Sequence, residues 1–314
     1  MALNQVGSVG AVWPARYDGH NSRIKGFCTE RILARRDLDR MVGSVHDIQA
    51  AHPQATRTTV RAFVGKGLLE GIRKADGLDV EAVVPADRIM PGFSMVYFGR
   101  NRSERMPDPE VLKAEIDSLA RMAGIEPVTT TEAARRISDA GYAISPVDQN
   151  GAKQRDIARL LALYREAYEK YTFDITEGSM EEMLSNGNIV VVARERTTQD
   201  IVASLIAEHC TLIIDGQTVH LFELSDFATF RAHRGNGLMT LMQMDARVAI
   251  RRLHGDDAVI YSENRAPWEA VNRSSQKAGF TYCGTLPKHC ILVSDRDFNE
   301  TGDMENLHVW ADVR

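Results

Sequence analysis

The stretch Leu221 to Leu253, LFELSDFATFRAHRGNGLMTLMQMDARVAIRRL, constrains this chain more than any other. An apolar-rich strand ending near Phe230 runs into a short loop, Arg231 to Asn236. A long amphipathic helix follows, because Leu238, Leu241, Met242, Asp245, Val248 and Leu253 recur at about 3.6 residues. Arg234, Gly235, Asn236 and Gly237 fall at the helix start. A helix N-terminus carries unpaired N–H groups and a partial positive charge, so it favours an anion. Two glycines leave no Cβ between those N–H groups and a ligand, and Arg234 adds a fixed cation. The stretch therefore predicts a cradle for a pyrophosphate. The alternative is a glycine-rich strand–helix turn that binds nothing. The Walker pattern GxxxxGK[ST] is absent, and no third glycine follows Gly235-Asn236-Gly237 to complete a dinucleotide fingerprint.

The chain has 314 residues, enough for about two domains. Its 44% hydrophobic and 26% charged content is that of an ordinary globular protein. A formal net charge of -5 gives no general affinity for nucleic acid, and no apolar run approaches the ~20 residues of a membrane span. The N-terminus lacks a basic region followed by an apolar core, so it is not read as a signal peptide. Cys28, Cys210, Cys283 and Cys290 form no CxxC pair and read as reduced thiols of a cytoplasmic protein. The nine histidines are scattered without metal-site spacing, so no metal is expected.

Residues 1–22 read as a flexible arm. A smaller α/β domain is expected over 23–106: a strand or strand pair in RIKGFCTERIL, a helix over Leu38–Ile48, a strand over Thr56–Val64, a helix over Lys66–Lys74, and strands over Leu78–Pro85 and Phe93–Phe98. Residues 107–140 read as a helical connector, with Thr129 and Glu132 spaced as a capping box. The last domain, 141–314, opens with a strand over Tyr142–Val147. A helix face marked by Ile157, Leu160, Leu161, Tyr164 and Tyr168 follows, then a short helix over Met180–Leu184 and strands over Ile189–Arg194 and Ile201–Ile214. Asp215-Gly216 is a two-residue hairpin turn into the strand that carries Leu221 and Glu223. Beyond the long helix come a strand over Ala258–Ser262, a helix over Pro267–Ala278, and strands over Gly279–Thr285 and Cys290–Val293. The order strand, helix, two strands occurs in both domains, with Gly77-Leu78 falling where Gly279-Phe280 falls. It reads as a partial, degenerate copy; the alternative is that α/β domains commonly share this order.

Arg234-Gly235-Asn236-Gly237-Leu238-Met239 resembles the RxxGx(G/A) signature of the GNAT acetyltransferases, with Met239 where Gly or Ala is usual. The resemblance implies a GNAT fold, an α/β (α+β) arrangement with a mixed, mostly antiparallel sheet in the order βααβββαβαββ. It implies acetyl-CoA as co-substrate, with the diphosphate on Arg234, Gly235, Asn236, Gly237, Leu238, Met239 and Thr240. Phe227, Ala228 and Thr229 would pair with the pantetheine amides as an added strand and offer N–H groups to the thioester oxygen. Met239 is expected to crowd the approach.

Amine acetylation has a proton problem. An alkyl ammonium has a pKa of about 10, so at pH 7 roughly one molecule in a thousand is the free base, and supplying that form costs about 4–5 kcal/mol. A positioned carboxylate can take the proton. Glu223, on the strand before the loop, stands where many GNAT enzymes carry a glutamate base. Asp226, three positions on, faces the other way unless the strand bulges. For the leaving thiolate, Ser275 stands where many of these enzymes place a tyrosine acid, and Tyr282 is a second candidate. Solvent is a third.

A narrower resemblance is to the beta-lysine N6-acetyltransferases. It rests on Glu263, Arg265 and Ala266, on Asn272 in the next helix, on Gly284-Thr285-Leu286, on the Glu305 to Trp310 ending, and on Tyr171-Thr172-Phe173-Asp174-Ile175. The likeness extends through the N-terminal half, from Asn21–Ile24 to Pro85–Phe98. Thr172 replaces a proline, and Lys288-His289 replace an asparagine pair. The family transfers acetyl to the terminal amine of a small diamino acid. Arg265 would then clamp the substrate carboxylate, Glu263 and Asp174 would hold the spare ammonium, Tyr171 and Phe173 would line the alkyl chain, and Asn272 would contact the cofactor. Surface ion pairing for Glu263 and Arg265, and core packing for Tyr171 and Phe173, are the plainer readings. Trp268 and Trp310 read as packing residues. The competing functions are acetylation of another amine (lysine, ornithine, a polyamine or a protein terminus) and a non-catalytic acyl-CoA-binding regulatory module. The expected partner is a small-molecule amine, with neither nucleic acid nor membrane, and a homodimer is compatible with the sequence.

Overall fold

The computed structural model describes residues 5–6, 15–72, 74–75, 77–147, 154–170, 174–185, 187–291, 293–294 and 304–313. The N-terminal half comprises β1 (Gln5–Val6), β2 (Ala15–Asp18), β3 (Arg23–Phe27), α1 (Arg35–Ala51), β4 (Arg57–Gly65), α2 (Lys66–Leu69), β5 (Lys74–Ala75), β6 (Leu78–Pro85) and β7 (Phe93–Asn101). Helices α3 (Pro109–Met122) and α4 (Thr130–Asp139) lead to β8 (Tyr142–Pro146), α5 (Gln154–Ala167), β9 (Tyr168–Lys170), α6 (Glu177–Ser185), β10 (Ile189–Glu195), β11 (Ile201–Ile214) and β12 (Gln217–Thr229). Then come α7 (Leu238–His254), β13 (Ala258–Arg265), α8 (Glu269–Lys277), β14 (Thr281–Cys290), β15 (Val293–Ser294) and β16 (Glu305–Ala311).

From β8 onward the main elements follow the expected order βααβββαβαββ, and the fold is α/β with a mixed, mostly antiparallel sheet. Among the described residues, no helix is long and apolar enough to cross a membrane. Four local expectations are corrected. Ala15–Asp18, placed in the arm, pairs with β3. The helix over Lys66–Lys74 is one turn, because Gly67 and Gly71 weaken a short segment. The helix begins at Glu269, not Pro267, since the residues before it continue the turn out of β13. The last strand is Glu305–Ala311 instead of Cys290–Val293, and Cys290 closes β14.

One main sheet runs β1-β2-β3-β4-β7-β6-β14-β16-β13-β12-β11-β10-β8, with β5 beside β6. Among the described strands of this sheet, β3/β4 and β12/β13 pair in parallel and the other pairs are antiparallel. Residue alternation explains the layers. In β10, Val190 and Val192 face the core under α5 and α6, whereas Ile189, Val191 and Ala193 face the core under α7. A third core lies under α1. The fourth joins the halves: Phe63, Met95 and Tyr97 pack with Leu221, Val259, Tyr261 and Val309. The sheet therefore folds over at the β6–β14 junction, so that its inner face closes on itself.

That junction has an internal correspondence. Outward from it, β6-β7-β4-β3 on one side mirrors β14-β16-β13-β12 on the other. Gly77 (φ 88°) precedes β6 and Gly279 (φ 87°) precedes β14. The register slips between Val80 and Ala82 on one side and between Tyr282 and Gly284 on the other, three to five residues past each glycine. Ala82 and Gly284, the corresponding residues, pair with each other across the junction. A Cβ on Gly284 would lie 2.2 Å from the Glu81 carbonyl oxygen, and its φ of 146° also favours glycine.

Gly284→Val is expected to lower the unfolding free energy by about 3 kcal/mol, read from denaturant midpoints at constant slope. A change below ~0.5 kcal/mol would show that the junction is not tightly packed.

Candidate active site

The glycine loop has the geometry of an anion cradle. Gly235 (φ 82°) and Gly237 (φ 77°) take the left-handed region, and a Cβ on either would meet nothing within 4 Å. The space over the loop is open. Gly237 is the N-cap of α7, and among the described residues no side chain caps it. Arg234 Nε donates to the Thr229 carbonyl at 3.1 Å, and Asn236 Nδ2 donates to the His233 carbonyl at 3.0 Å, which fixes the loop to the strand end. Leu238 and Thr240 are buried, so they meet a ligand through backbone N–H groups alone. Met239 packs against the core beneath α7, which absorbs its departure from Gly or Ala.

Before the loop, β12 and β13 part company. Their parallel pairing runs from His220–Ala258 to Glu223–Tyr261 and stops, although the strands continue to Thr229 and Arg265. On its other edge β12 bulges: Ser225 faces Ile206 and Ala228 faces Ser204, leaving Asp226 and Phe227 opposite Leu205. Asp226 has φ 53°, so the simple alternation with Glu223 is broken. Tyr164 donates to the Asp226 carbonyl at 3.0 Å and Tyr168 to the Phe227 carbonyl at 2.8 Å. These bonds hold the bulge. The Phe230 N–H bonds Val202 on β11, so strand alternation turns the Thr229 N–H to the opposite edge, into the cleft. Burial pushes the Asp226 carboxyl up to about 7.

At the inner end of the cleft stands a cluster of charge. Glu223 accepts from the Tyr261 hydroxyl at 3.1 Å, and Arg61 Nη1 lies 3.6 Å from the same carboxylate. Arg61 Nη1 also donates to the Tyr261 hydroxyl, and the guanidinium lies 3.8 Å from the centre of the Phe27 ring. Glu263 accepts from Lys25 Nζ at 3.4 Å and faces His289 Nε2 at 3.4 Å. His289 Nδ1 accepts from Arg57 Nε at 3.1 Å, so the ring proton sits on Nε2, toward Glu263. Among the described residues, Glu263 Oε1 is buried without a hydrogen-bond partner. Glu208 lies opposite Glu223 on β11 and accepts from Ser225 at 2.6 Å.

The two inner carboxylates are driven apart. Burial pushes Glu223 up to about 7, helped by the neighbouring charges of Glu263 and Glu208 against Lys25 and Arg61. Burial also acts upward on Glu263, but Lys25, His289 and Arg61 outweigh it and hold that carboxyl well below its usual range. Such a pair separates one group that titrates near neutrality from one that stays ionised. Glu223 keeps 21% of its side chain exposed, so a proton donor can reach it.

Other expected site residues are placed elsewhere. Ser275 is fully buried, donates to Gln243 Oε1 at 2.8 Å and accepts from Asn264 at 2.8 Å, so it has no proton to give a leaving group. Tyr282 sits beside Trp310, on the sheet face opposite Glu263, and shares a 2.6 Å bond with Thr285. Asn272 is buried: its amide donates to the Arg265 and Trp268 carbonyls, and its oxygen accepts from the Trp310 indole at 2.9 Å. It ties α8 to β13 and β16 and is not a cofactor contact. Arg265 is held by Glu305 through both Nε and Nη2 and covers Trp268, so it is no open clamp. Asp174 is exposed just ahead of α6. Tyr171 and Phe173 lie outside the described residues. Sequence reasoning missed Lys25, Arg61 and Tyr261. Arg57, Thr59 and Arg61 alternate within a β-branched strand, which signals polar groups on a face that the fold buries.

No family model matches the chain, and no curated protein matches it. Solved structures similar to it include a ribosomal-protein-alanine N-acetyltransferase from Brucella melitensis, 18% identical over 55% of this chain and 99% of that one (TM-score 0.42). A putative acetyltransferase from Salmonella typhimurium with its cofactor acetyl-CoA is 17% identical over 55% and 96% (TM-score 0.41). NAA60 of Arabidopsis thaliana with a bisubstrate analogue is 12% identical over 55% and 97% (TM-score 0.41). These likenesses are weak, span little more than half of this chain, and place it in no family.

Ser275→Ala is expected to cost about 1–2 kcal/mol of stability, because it leaves buried Asn264 and Gln243 groups unpaired. It should leave the pH dependence of any turnover unmoved, and a rate loss confined to the leaving-group step would restore Ser275 as an acid.

Proposed function

We propose that this chain is an N-acetyltransferase that uses acetyl-CoA and a small amine, with Glu223 as general base. The observation that carries the reading is a partly exposed carboxylate, titrating near neutrality, at the point where β12 and β13 diverge toward an open glycine cradle. The cradle suits a diphosphate, and the cleft edge at Thr229 suits an extended amide chain. Acetyl-CoA supplies the electrophilic thioester carbon. Glu223 takes the ammonium proton, the amine nitrogen forms the new C–N bond, and the C–S bond breaks. A thiol has a pKa of about 8.5, so the departing thiolate needs little help from an acid.

The acceptor is a small diamino acid, with beta-lysine the first candidate. Glu263 Oε1 is the buried acceptor that suits a spare ammonium. With Arg265 engaged by Glu305 through two bonds, the cation for the substrate carboxylate is Lys25, which meets Glu263 at 3.4 Å and keeps one-quarter of its side chain exposed.

Free-thiol release from acetyl-CoA, measured against beta-lysine, lysine, ornithine and spermidine, tests the reading. Turnover with a diamino acid is expected. Turnover with another amine would remove the substrate assignment and keep the chemistry. Because the ionised Glu223 is the base, kcat/KM should fall as pH drops through about 7 and level off above it. Glu223→Gln should lower kcat roughly 10²- to 10⁴-fold and abolish that limb, with coenzyme A affinity unchanged. Coenzyme A binding without thiol release from any amine would overturn the reading in favour of a binding module.

A further inference from the structure

We infer that Arg61, contributed by the N-terminal half, is a positioning residue for Glu223 and acts through the Tyr261 hydroxyl, so the site is complete only when both halves are present. The inference rests on Glu223 being the base.

The geometry is that of a relay with a fixed direction. A tyrosine hydroxyl has one proton and can rotate. Arg61 Nη1 donates to the Tyr261 oxygen, so the hydroxyl proton must point away from the guanidinium. It points at Glu223 Oε2, 3.1 Å away. Arg61 itself makes no hydrogen bond to either carboxylate: its Nη1 stands 3.6 Å from Glu223 and 3.9 Å from Glu263. A guanidinium placed only to tie two strands together would grip a carboxylate with two parallel bonds, as Arg57, also in β4, grips Glu81 of β6. Arg61 is instead held by the Phe27 face at 3.8 Å and aimed at the hydroxyl.

The correspondence between the halves shows where this cation comes from. Ala82 pairs with Tyr97, and Tyr97 with Arg61. On the other side Gly284 pairs with Val309, and Val309 with Glu263. Arg61 therefore occupies the position that Glu263 occupies in the second half. Two residues back, Thr59 pairs with Lys25 and Tyr261 pairs with Glu223, so Lys25 matches Glu223. At two matched positions the first half carries cations where the second carries carboxylates, and the fold brings the four together. Arranged this way, the N-terminal half has a task at the site as well as in packing.

The charged and titratable groups facing Glu223 are Glu208 from β11, Tyr261 and Glu263 from β13, Lys25 from β3, Arg61 from β4 and Tyr97 from β7. Arg61 and the Tyr261 proton both favour ionised Glu223. Losing either should raise its pKa.

Tyr261→Phe and Arg61→Gln are each expected to move the acid limb of kcat/KM to higher pH by about one unit, roughly a tenfold loss at pH 6 and far less above pH 8.5. Arg61→Lys, which keeps the charge, should restore part of the shift. A loss of equal size at every pH, with the limb unmoved, would make Arg61 and Tyr261 structural and overturn the inference. If Arg61→Gln does not fold, Tyr261→Phe decides, since it removes one oxygen and keeps the ring. A readout independent of turnover separates this inference from the acetyltransferase reading. The infrared carboxylic-acid band of Glu223, isolated by subtracting Glu223→Gln, gives its midpoint directly. An upward shift in Tyr261→Phe without any thiol release would sustain the relay and remove the reaction. No shift alongside active enzyme would do the reverse.

Discussion

Two cations and two carboxylates share one largely buried seam, and most of this structure is arranged around that fact. Taking such groups out of water costs several kcal/mol each unless they find partners. Lys25 and Arg61 of the N-terminal half meet carboxylates of the other half, Glu263 and Glu223. Folding the sheet over at Ala82–Gly284 brings each set to its partner. Around this centre lies a second layer that leaves little freedom. Arg23 and Arg105 both donate to the His289 carbonyl, Arg105 also holds the Lys288 carbonyl, and Arg57 holds the His289 ring. His289 in turn points its Nε2 toward Glu263, 3.4 Å away. Together these contacts tie the two halves through buried charges.

The same seam explains why two glutamates in neighbouring strands have different tasks. Glu263 is surrounded by cationic and N–H groups, stays ionised and, among the described residues, has no hydrogen bond to Oε1. Glu223 faces two other carboxylates, is partly open, and has a hydroxyl proton, an offset guanidinium and the charge of Lys25 to stabilise its own. A base needs a proton affinity matched to the working pH, and the difference in surroundings supplies it. Desolvation sets the direction, and the Arg61–Tyr261 relay limits its size.

What the sequence made legible was local. The glycine pair with Arg234, the long helix after it, the Asp215-Gly216 hairpin, and strand β6 from Leu78 to Pro85 all follow from turn chemistry and periodicity over short distances. The candidate base was legible because its strand runs directly into the loop. The partners of Glu223 were not, because Arg61 and Tyr261 meet it only through strand register between segments some 160 and 40 positions away. Register depends on bulges, such as those beside Ala82, Gly284 and Asp226, that leave no mark in a periodicity. Ser275, Asn272 and Arg265 misled for a related reason. Their residue types suit catalysis, and only burial and the neighbours Gln243, Trp310 and Glu305 show that their hydrogen bonds are already taken. The final strand was misplaced because Cys290–Val293 has the right composition, whereas Glu305–Ala311 has the right position beside β14.

The central claim is that the seam splits the protonation of two glutamates, and it can be measured without turnover. Carbon-13 labelling of glutamate carboxyls, with Glu223→Gln and Glu263→Gln used for assignment, gives both titration curves by NMR. Glu223 is expected to titrate near pH 7 while Glu263 remains ionised well below the ordinary range for a carboxyl. Two curves that both fall near pH 4.5 would contradict this, and would leave the cluster as an ion-pair network with no poised base.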